Sequence, residues 1–241
     1  MSPRLPAGRT AADPATATAA RASTAAPERE PAADSGAQQY RQLRKDLVSG
    51  AIDPGSLLLE TTLSARYGVS RTPIRDALGR LEQDGLVERV ARGYRVRVAT
   101  AEDILEIYEA RISLEATAAG SAALRRTELD LARLTHHHQR LLEATEVTDV
   151  TSVNACFHEA LWLAGHNATV AGLLDRLVTQ MRLFDRAPTA APENRELTHE
   201  EHERILRAVR EHDPEAARRE VAAHLGRNRD VRLAGLARHP L

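Results

Sequence analysis

Three short stretches of this chain set a histidine on the apolar stripe of a helical projection. In VNACFHEALW, residues 153 to 162, His158 shares its side of the helix with Phe157, Leu161 and Trp162, and Asn154 stands one turn before it. His202 precedes Ile205, Leu206 and Val209 at i+3, i+4 and i+7, while His224 follows Val221 and adjoins Leu225. A single inward histidine is usually a hydrogen-bonded core residue. Three of them, with an asparagine beside one, are a costly group to bury unless they share a partner. Three neutral imidazoles and a side-chain oxygen can hold a divalent ion, Zn²⁺ first and Ni²⁺, Fe²⁺ or Mn²⁺ as alternatives, with positions left open for water or a ligand. Asn154, His158, His202 and His224 are therefore the candidate metal ligands. The run His136, His137 and His138 is expected on a solvated face, because consecutive helical residues point about 100° apart and cannot converge on one ion. His166, His212 and His239 fall at apparent helix ends or in the tail, where capping or exposure suffices.

A second chemistry lies in VSRTPIRDALGRLEQDG, residues 69 to 85. Ile74, Ala77, Leu78 and Leu81 form one stripe and must face a core, which leaves Arg71, Thr72, Arg75 and Gly79 on the adjoining polar face. Cations and short hydroxyls near a helix N-terminus suit phosphate and the guanine edge. Arg71 and Arg75 are the leading candidates for base or phosphate contact. Ser70 is placed to cap the helix and Pro73 fits its first turn. Arg92, Gly93 and Arg95 make a compact basic tip of a size to enter a minor groove.

The elements that must carry these residues follow from periodicity and breakers. Residues 1 to 37 are rich in Ala, Pro and Thr, carry almost no large apolar side chain, and are expected to be a disordered tail. From Gln38 a helix runs to Gly50, followed by a Pro-Gly turn in IDPGSLL, a short helix closed by Gly68, the helix after Ser70, and two alternating segments, LVERV and YRVRV. Helix, helix, turn, helix and hairpin over residues 38 to 98 is a winged helix-turn-helix. Residues 99 to 241 carry only helical patterns, near 101 to 125, 127 to 145, 148 to 165, 168 to 186, 196 to 211 and 214 to 236. The fold class is mainly α, an N-terminal winged helix-turn-helix followed by an all-helical bundle of about six helices.

Composition agrees. Hydrophobic residues make up 42% of the 241 and aromatic residues 3%, which favours helices packed through aliphatic side chains. The single cysteine excludes an intramolecular disulfide and a Cys-based zinc motif, and no apolar run is long enough to span a bilayer, so a cytoplasmic protein without a membrane partner is expected. Residues 38 to 98 carry 11 basic and 7 acidic groups, against 18 and 23 over 99 to 241. Charge alone would favour a solvated face; the ordered helix, turn and wing elements decide for double-stranded DNA.

Residues 50 to 96 resemble the DNA-binding domain of the GntR family of bacterial transcription regulators, through VSRTPIRDAL, the following L..DGLV and the glycine-tipped wing. The resemblance implies DNA contact by Ser70, Arg71, Thr72, Arg75 and Gly93, to which the tip adds Arg92. Thr61 departs from it, standing where some relatives have an arginine. Residues 101 to 230 resemble the all-helical FCD effector domain of the FadR subgroup, through YEARISLEATAA at 108 to 119, FHEAL and GHN within 157 to 167, and the stretch from Glu200 to Leu225, which implies that residues 99 to 241 bind an effector and dimerise. In metal-binding members an acidic residue, usually Asp, lies four before the first histidine; here it is Asn154. Arg111 matches an arginine that often meets an effector carboxylate. With Asn a divalent site carries about +2 rather than the +1 that Asp would leave, which weakens metal retention and strengthens the pull on anions.

Together these readings describe a homodimeric regulator, a repressor by the commoner family behaviour, that senses a small organic acid through a metal-containing pocket and reads a palindromic operator. An alternative keeps the regulator with a metal-free pocket for a larger acidic ligand. A metal-dependent hydrolase is the least favoured, since Glu159 points about 100° away from His158 and no other general base stands out; the chain is expected not to be an enzyme.

Overall fold

The computed structural model describes residues 32–184 and 192–238. The first helix, α1 (Ala32–Val48), begins six residues before the expected Gln38. Alanine loses no side-chain entropy in a helix, so the composition that reads as a tail also extends a helix that is nucleated downstream. The rest of the expected tail, residues 1–31, lies outside the described residues.

Strand β1 (Leu57–Leu58), α2 (Glu60–Tyr67), α3 (Arg71–Gln83), β2 (Val87–Val90) and β3 (Gly93–Val96) complete the winged module. The sheet order is β1-β3-β2, antiparallel throughout, with Leu58 opposite Tyr94 and Val90 opposite Gly93. Strand β1 was expected as part of a turn, because two residues are too few to show alternation. Leu43, Leu47, Ile74, Ala77, Leu78 and Leu81 are all fully buried in the module's core.

Among the described residues the bundle has α4 (Ala101–Arg125), α5 (Glu128–Glu143), α6 (Val147–Ala164), α7 (Ala168–Phe184), α8 (Pro192–Arg210) and α9 (Pro214–Arg238). Reciprocal caps start α4 and α5, Thr100 with Asp103 and Thr127 with Asp130. Helix α8 starts at Pro192, four residues before the expected boundary, since a proline's missing N–H is harmless in the first turn. Asp213 Oδ1 accepts from the Glu215 and Ala216 amides at 3.1 and 2.9 Å and opens α9 ahead of Pro214.

Helix α4 packs against α6, α7, α8 and α9. Ala118, Ala119, Ala122 and Ala123 are buried along it, and side chains this small let four neighbours approach one helix. Its first turns behave differently: Ile104, Ile107 and Tyr108 join the core of the winged module, together with Met181, Leu183 and Phe184 of α7. Polar contacts reinforce that junction. Arg44 donates to both Asp175 oxygens at 2.8 Å and to Thr179, and Gln180 Nε2 donates to the Asp84 carbonyl at 2.7 Å.

Candidate functional site

The basic face is built by α2, the turn at Gly68 and α3. Gly68 closes α2 in the left-handed region, at φ 67°. Ser70 has the extended backbone of an N-cap, but its hydroxyl makes no capping hydrogen bond, contrary to expectation. Arg71, Thr72 and Arg75 are exposed, as the stripe requires. Neither arginine is free: Arg71 Nη2 donates to Glu60 Oε2 at 2.9 Å, and Arg75 meets the same carboxylate through Nε and Nη2, each at 2.9 Å. Hydrogen bonding from Arg75, joined by Arg71, overcomes the modest burial and holds the Glu60 carboxyl down to about 2.

Arg92 is exposed in the two-residue turn between β2 and β3. Gly93 has a structural duty at that tip. Its φ is +97°, and a Cβ there would stand 2.5 Å from the Leu58 carbonyl oxygen, so the β1–β3 pairing requires glycine. Gly79, one turn beyond Arg75, has open space where its Cβ would be.

The second site lies where α4, α6, α8 and α9 meet. His158, His202 and His224 are 3%, 0% and 0% exposed, and one ligand atom from each lies within 4.8 Å of the others. His158 Nδ1 is 2.8 Å from Glu115 Oε2, and His224 Nδ1 is 2.7 Å from Glu201 Oε2. With each Nδ1–H donated to its carboxylate, the two Nε2 lone pairs face one another at 3.2 Å. Two such lone pairs repel unless a cation lies between them. Asn228 Nδ2 approaches His224 Nε2 at 3.0 Å. Both ring nitrogens of His202 and Asn154 Oδ1 are buried without a hydrogen-bond partner among the described residues. His202 is held instead by stacking on Phe157, with centroids 4.1 Å apart. This donor set, imidazoles with two carboxylate-oriented tautomers and orphaned nitrogens, fits a borderline divalent ion.

Arg111 is engaged rather than free. It donates to Glu115 Oε1 at 2.9 and 2.7 Å, and Trp162 Nε1 donates to Oε2 of the same carboxylate at 3.0 Å. Burial alone would raise the Glu115 carboxyl; Arg111, then His158 and Trp162, outweigh it and hold the group far below the usual carboxylate range. Glu201 is likewise held at about 2, against its burial, by His224 and by Arg227 at 2.7 and 2.6 Å. Burial pushes His202 well below its ordinary value and His224 down to about 4, so both stay neutral and able to ligate near pH 7. Each carboxylate is matched by its own arginine, Glu115 by Arg111 and Glu201 by Arg227, so the two pairs add no net charge around the three histidines.

The histidine run departs from expectation at one position: His138 is 4% exposed and packs inward, while His136 is exposed. His166 and His212, both with positive φ, end their helices as expected, His212 Nδ1 donating to the Ala123 carbonyl at 2.7 Å. His239 lies outside the described residues. Sequence reasoning missed Glu60, Glu115, Glu201 and Asn228. Glu115 did carry a signal, a carboxylate on the stripe of Ala118, Ala119 and Ala122.

Comparison with known proteins places each of the two modules in a domain family. Residues 36–96 match the model of bacterial regulatory proteins of the gntR family, and residues 106–227 match the FCD domain. The chain is 35% identical to the HTH-type transcriptional regulator YdhC of Bacillus subtilis, over 78% of this chain and 86% of that one. This chain belongs to the GntR family, with an FCD domain. The HTH-type transcriptional repressor GlaR of Escherichia coli is 30% identical over 77% of this chain and 90% of its own. Among solved structures, E. coli McbR/YncC superposes with a TM-score of 0.67 at 26% identity, covering 80% of this chain and 94% of that one. A GntR regulator from Rhodococcus sp. RHA1 follows at 0.66 and 25%, covering 83% and 98%. These are DNA-binding transcriptional regulators, not enzymes, and no helix among the described residues is long and apolar enough to cross a membrane.

Proposed function

We propose that this GntR-family regulator is a cytoplasmic homodimer that represses from a palindromic operator and releases or tightens its grip when a small carboxylate enters the FCD domain. His158, His202 and His224, with Asn154, would hold a divalent ion, Zn²⁺ first. Bound there, it would supply a Lewis-acidic centre of net charge near +2 for the effector's carboxylate. The observation that carries this reading is the convergence of three buried imidazoles, two oriented by carboxylates and one with neither nitrogen satisfied. Glu115 and Glu201 fix the tautomers of their histidines, and Arg111 holds Glu115 ionised.

Helix α4 supplies the route outward, because it carries Glu115 at the site and Ile104, Ile107 and Tyr108 in the winged-module core. On the operator, Ser70, Arg71, Thr72 and Arg75 face the major groove, and Arg92 and Gly93 lead the wing.

The test is metal analysis of protein purified without an affinity tag, alongside fluorescence anisotropy on duplex DNA. Stoichiometric metal that is lost in His202→Ala supports the reading. Metal-free protein that still binds a carboxylate effector and DNA would overturn the metal and favour a larger acidic ligand hydrogen-bonded by the histidines.

A further inference from the structure

The donors of the histidine centre are not equally available. His202 has neither ring nitrogen bonded, and Asn154 Oδ1 is equally bare among the described residues. His158 donates Nδ1–H to Glu115 and turns Nε2 towards His224. His224 differs from both. Its Nδ1–H goes to Glu201 at 2.7 Å, which leaves Nε2 as an acceptor, and Asn228 Nδ2 donates to that nitrogen at 3.0 Å. Asn228 follows His224 by four residues on α9, so its amide reaches the ring from the next turn of the same helix.

That hydrogen bond occupies the lone pair a metal ion needs. The lone pair can accept from an amide or point at an ion, not both, so filling the centre requires the Asn228 side chain to turn away. The three rings are sealed from solvent while Asn228 is half-buried, which leaves the amide room to turn at the edge of the centre. The guanidiniums nearby are already engaged: Arg111 by Glu115, Arg227 by Glu201 and Arg229 by Asp230. The Asn228 amide presents two N–H groups, and His224 uses one of them.

We propose that Asn228 is the exchange residue of the sensing centre: it occupies His224 Nε2 while the centre is empty, is displaced when a divalent ion takes that nitrogen, and then donates to the carboxylate of the effector. The inference rests on the metal-containing pocket proposed above, and it assigns recognition of the effector to a neutral amide of α9 rather than to an arginine. A hydrogen bond made only in the empty state weakens metal binding, and the same amide strengthens anion binding in the filled state. One substitution therefore moves the two affinities in opposite directions.

Full-length untagged protein and its Asn228→Ala variant test this with two probes. Zn²⁺ affinity is read by chelator competition, and sodium acetate, as the carboxylate, is titrated into Co²⁺-loaded protein and followed by visible absorption. Asn228→Ala should tighten Zn²⁺ by roughly 2- to 10-fold, the effect of one hydrogen bond that no longer has to break, and weaken acetate by a similar factor. Loss of a merely structural residue weakens both. In wild type, the Asn228 side-chain amide resonances should move with the first equivalent of Zn²⁺ and again with acetate, a reading that needs no variant. If Zn²⁺ binds while those resonances stay in place, or if Asn228→Ala leaves either affinity unchanged or weakens both, the inference is overturned and the metal centre stands. Protein that takes up no Zn²⁺ overturns the two together.

Discussion

Glu60 meets both arginines of the recognition helix before any DNA does. The carboxylate cancels one of two positive charges and fixes both guanidiniums, so part of the ordering cost of base contact is already met in the free protein. Glu60→Gln should therefore tighten binding to random duplex DNA, steepen its salt dependence and lower the ratio of specific to non-specific affinity, read by anisotropy at several salt concentrations. An unchanged ratio would separate the two arginines from base recognition. The acid limb has a defined sign. Held at about 2 when folded, against 4.5 unperturbed, Glu60 contributes stability that is complete above the unfolded value and lost as pH falls from about 4.5 towards 2. Urea unfolding of Glu60→Gln should lose that part of the slope. In the FCD domain, Asn154→Asp would add a carboxylate to the proposed metal site, near +2 when loaded, so zinc affinity should rise by roughly tenfold while affinity for a carboxylate ligand falls. Chelator competition measures the first, and an unmoved zinc affinity would return Asn154 to a packing role. Neither Glu60 nor Glu201 was legible in the sequence, because their importance comes from partners brought together by the fold; the three inward histidines were, because each sits on its own helix's apolar stripe.

At the scale of elements, periodicity disclosed the long helices and the wing, and failed where length or composition carries no period. Strand β1 has two residues, and its pairing with β3 is recorded only in the glycine that makes room for it. Gly93→Ala should destabilise the wing by about 1–3 kcal/mol, from its positive φ and the clash with the Leu58 carbonyl, visible as a lower Tm and weaker DNA binding together. Gly79 should do the opposite to stability. An added Cβ meets open space, so Gly79→Ala should stabilise α3 by up to about 1 kcal/mol. It follows Arg71 and Arg75 at four-residue steps on one face, and a methyl group there should hold a phosphate backbone away. Higher Tm with weaker operator binding would identify this face as the interface; equal binding would make Gly79 merely tolerated.

At the scale of the whole molecule, the winged module and the helical bundle share one core among the described residues. Three residues of α4 and three of α7 lie in the winged-module core, and Arg44 of α1 reaches across to Asp175 and Thr179 of α7. A change at the histidine centre that shifts Glu115 thus acts on a helix whose first turns belong to the other module, and α7 is the second tether. Binding can shift DNA affinity only by its differential effect on the two arrangements of that junction. Arg44→Ala, at a partly exposed ion pair, should cost little stability yet loosen one tether. The measurement is the ratio of operator affinities in saturating Zn²⁺ and in EDTA. Wild type should show a ratio away from unity, and Arg44→Ala should move it towards unity while zinc binding itself stays unchanged, since the hydrogen bonds of Arg44 go to α7 and not to the helices that carry the three histidines. A ratio untouched by the substitution would leave α4 as the carrier of the signal, and Tyr108→Ala, which opens the shared core at α4, should then be the variant that collapses it.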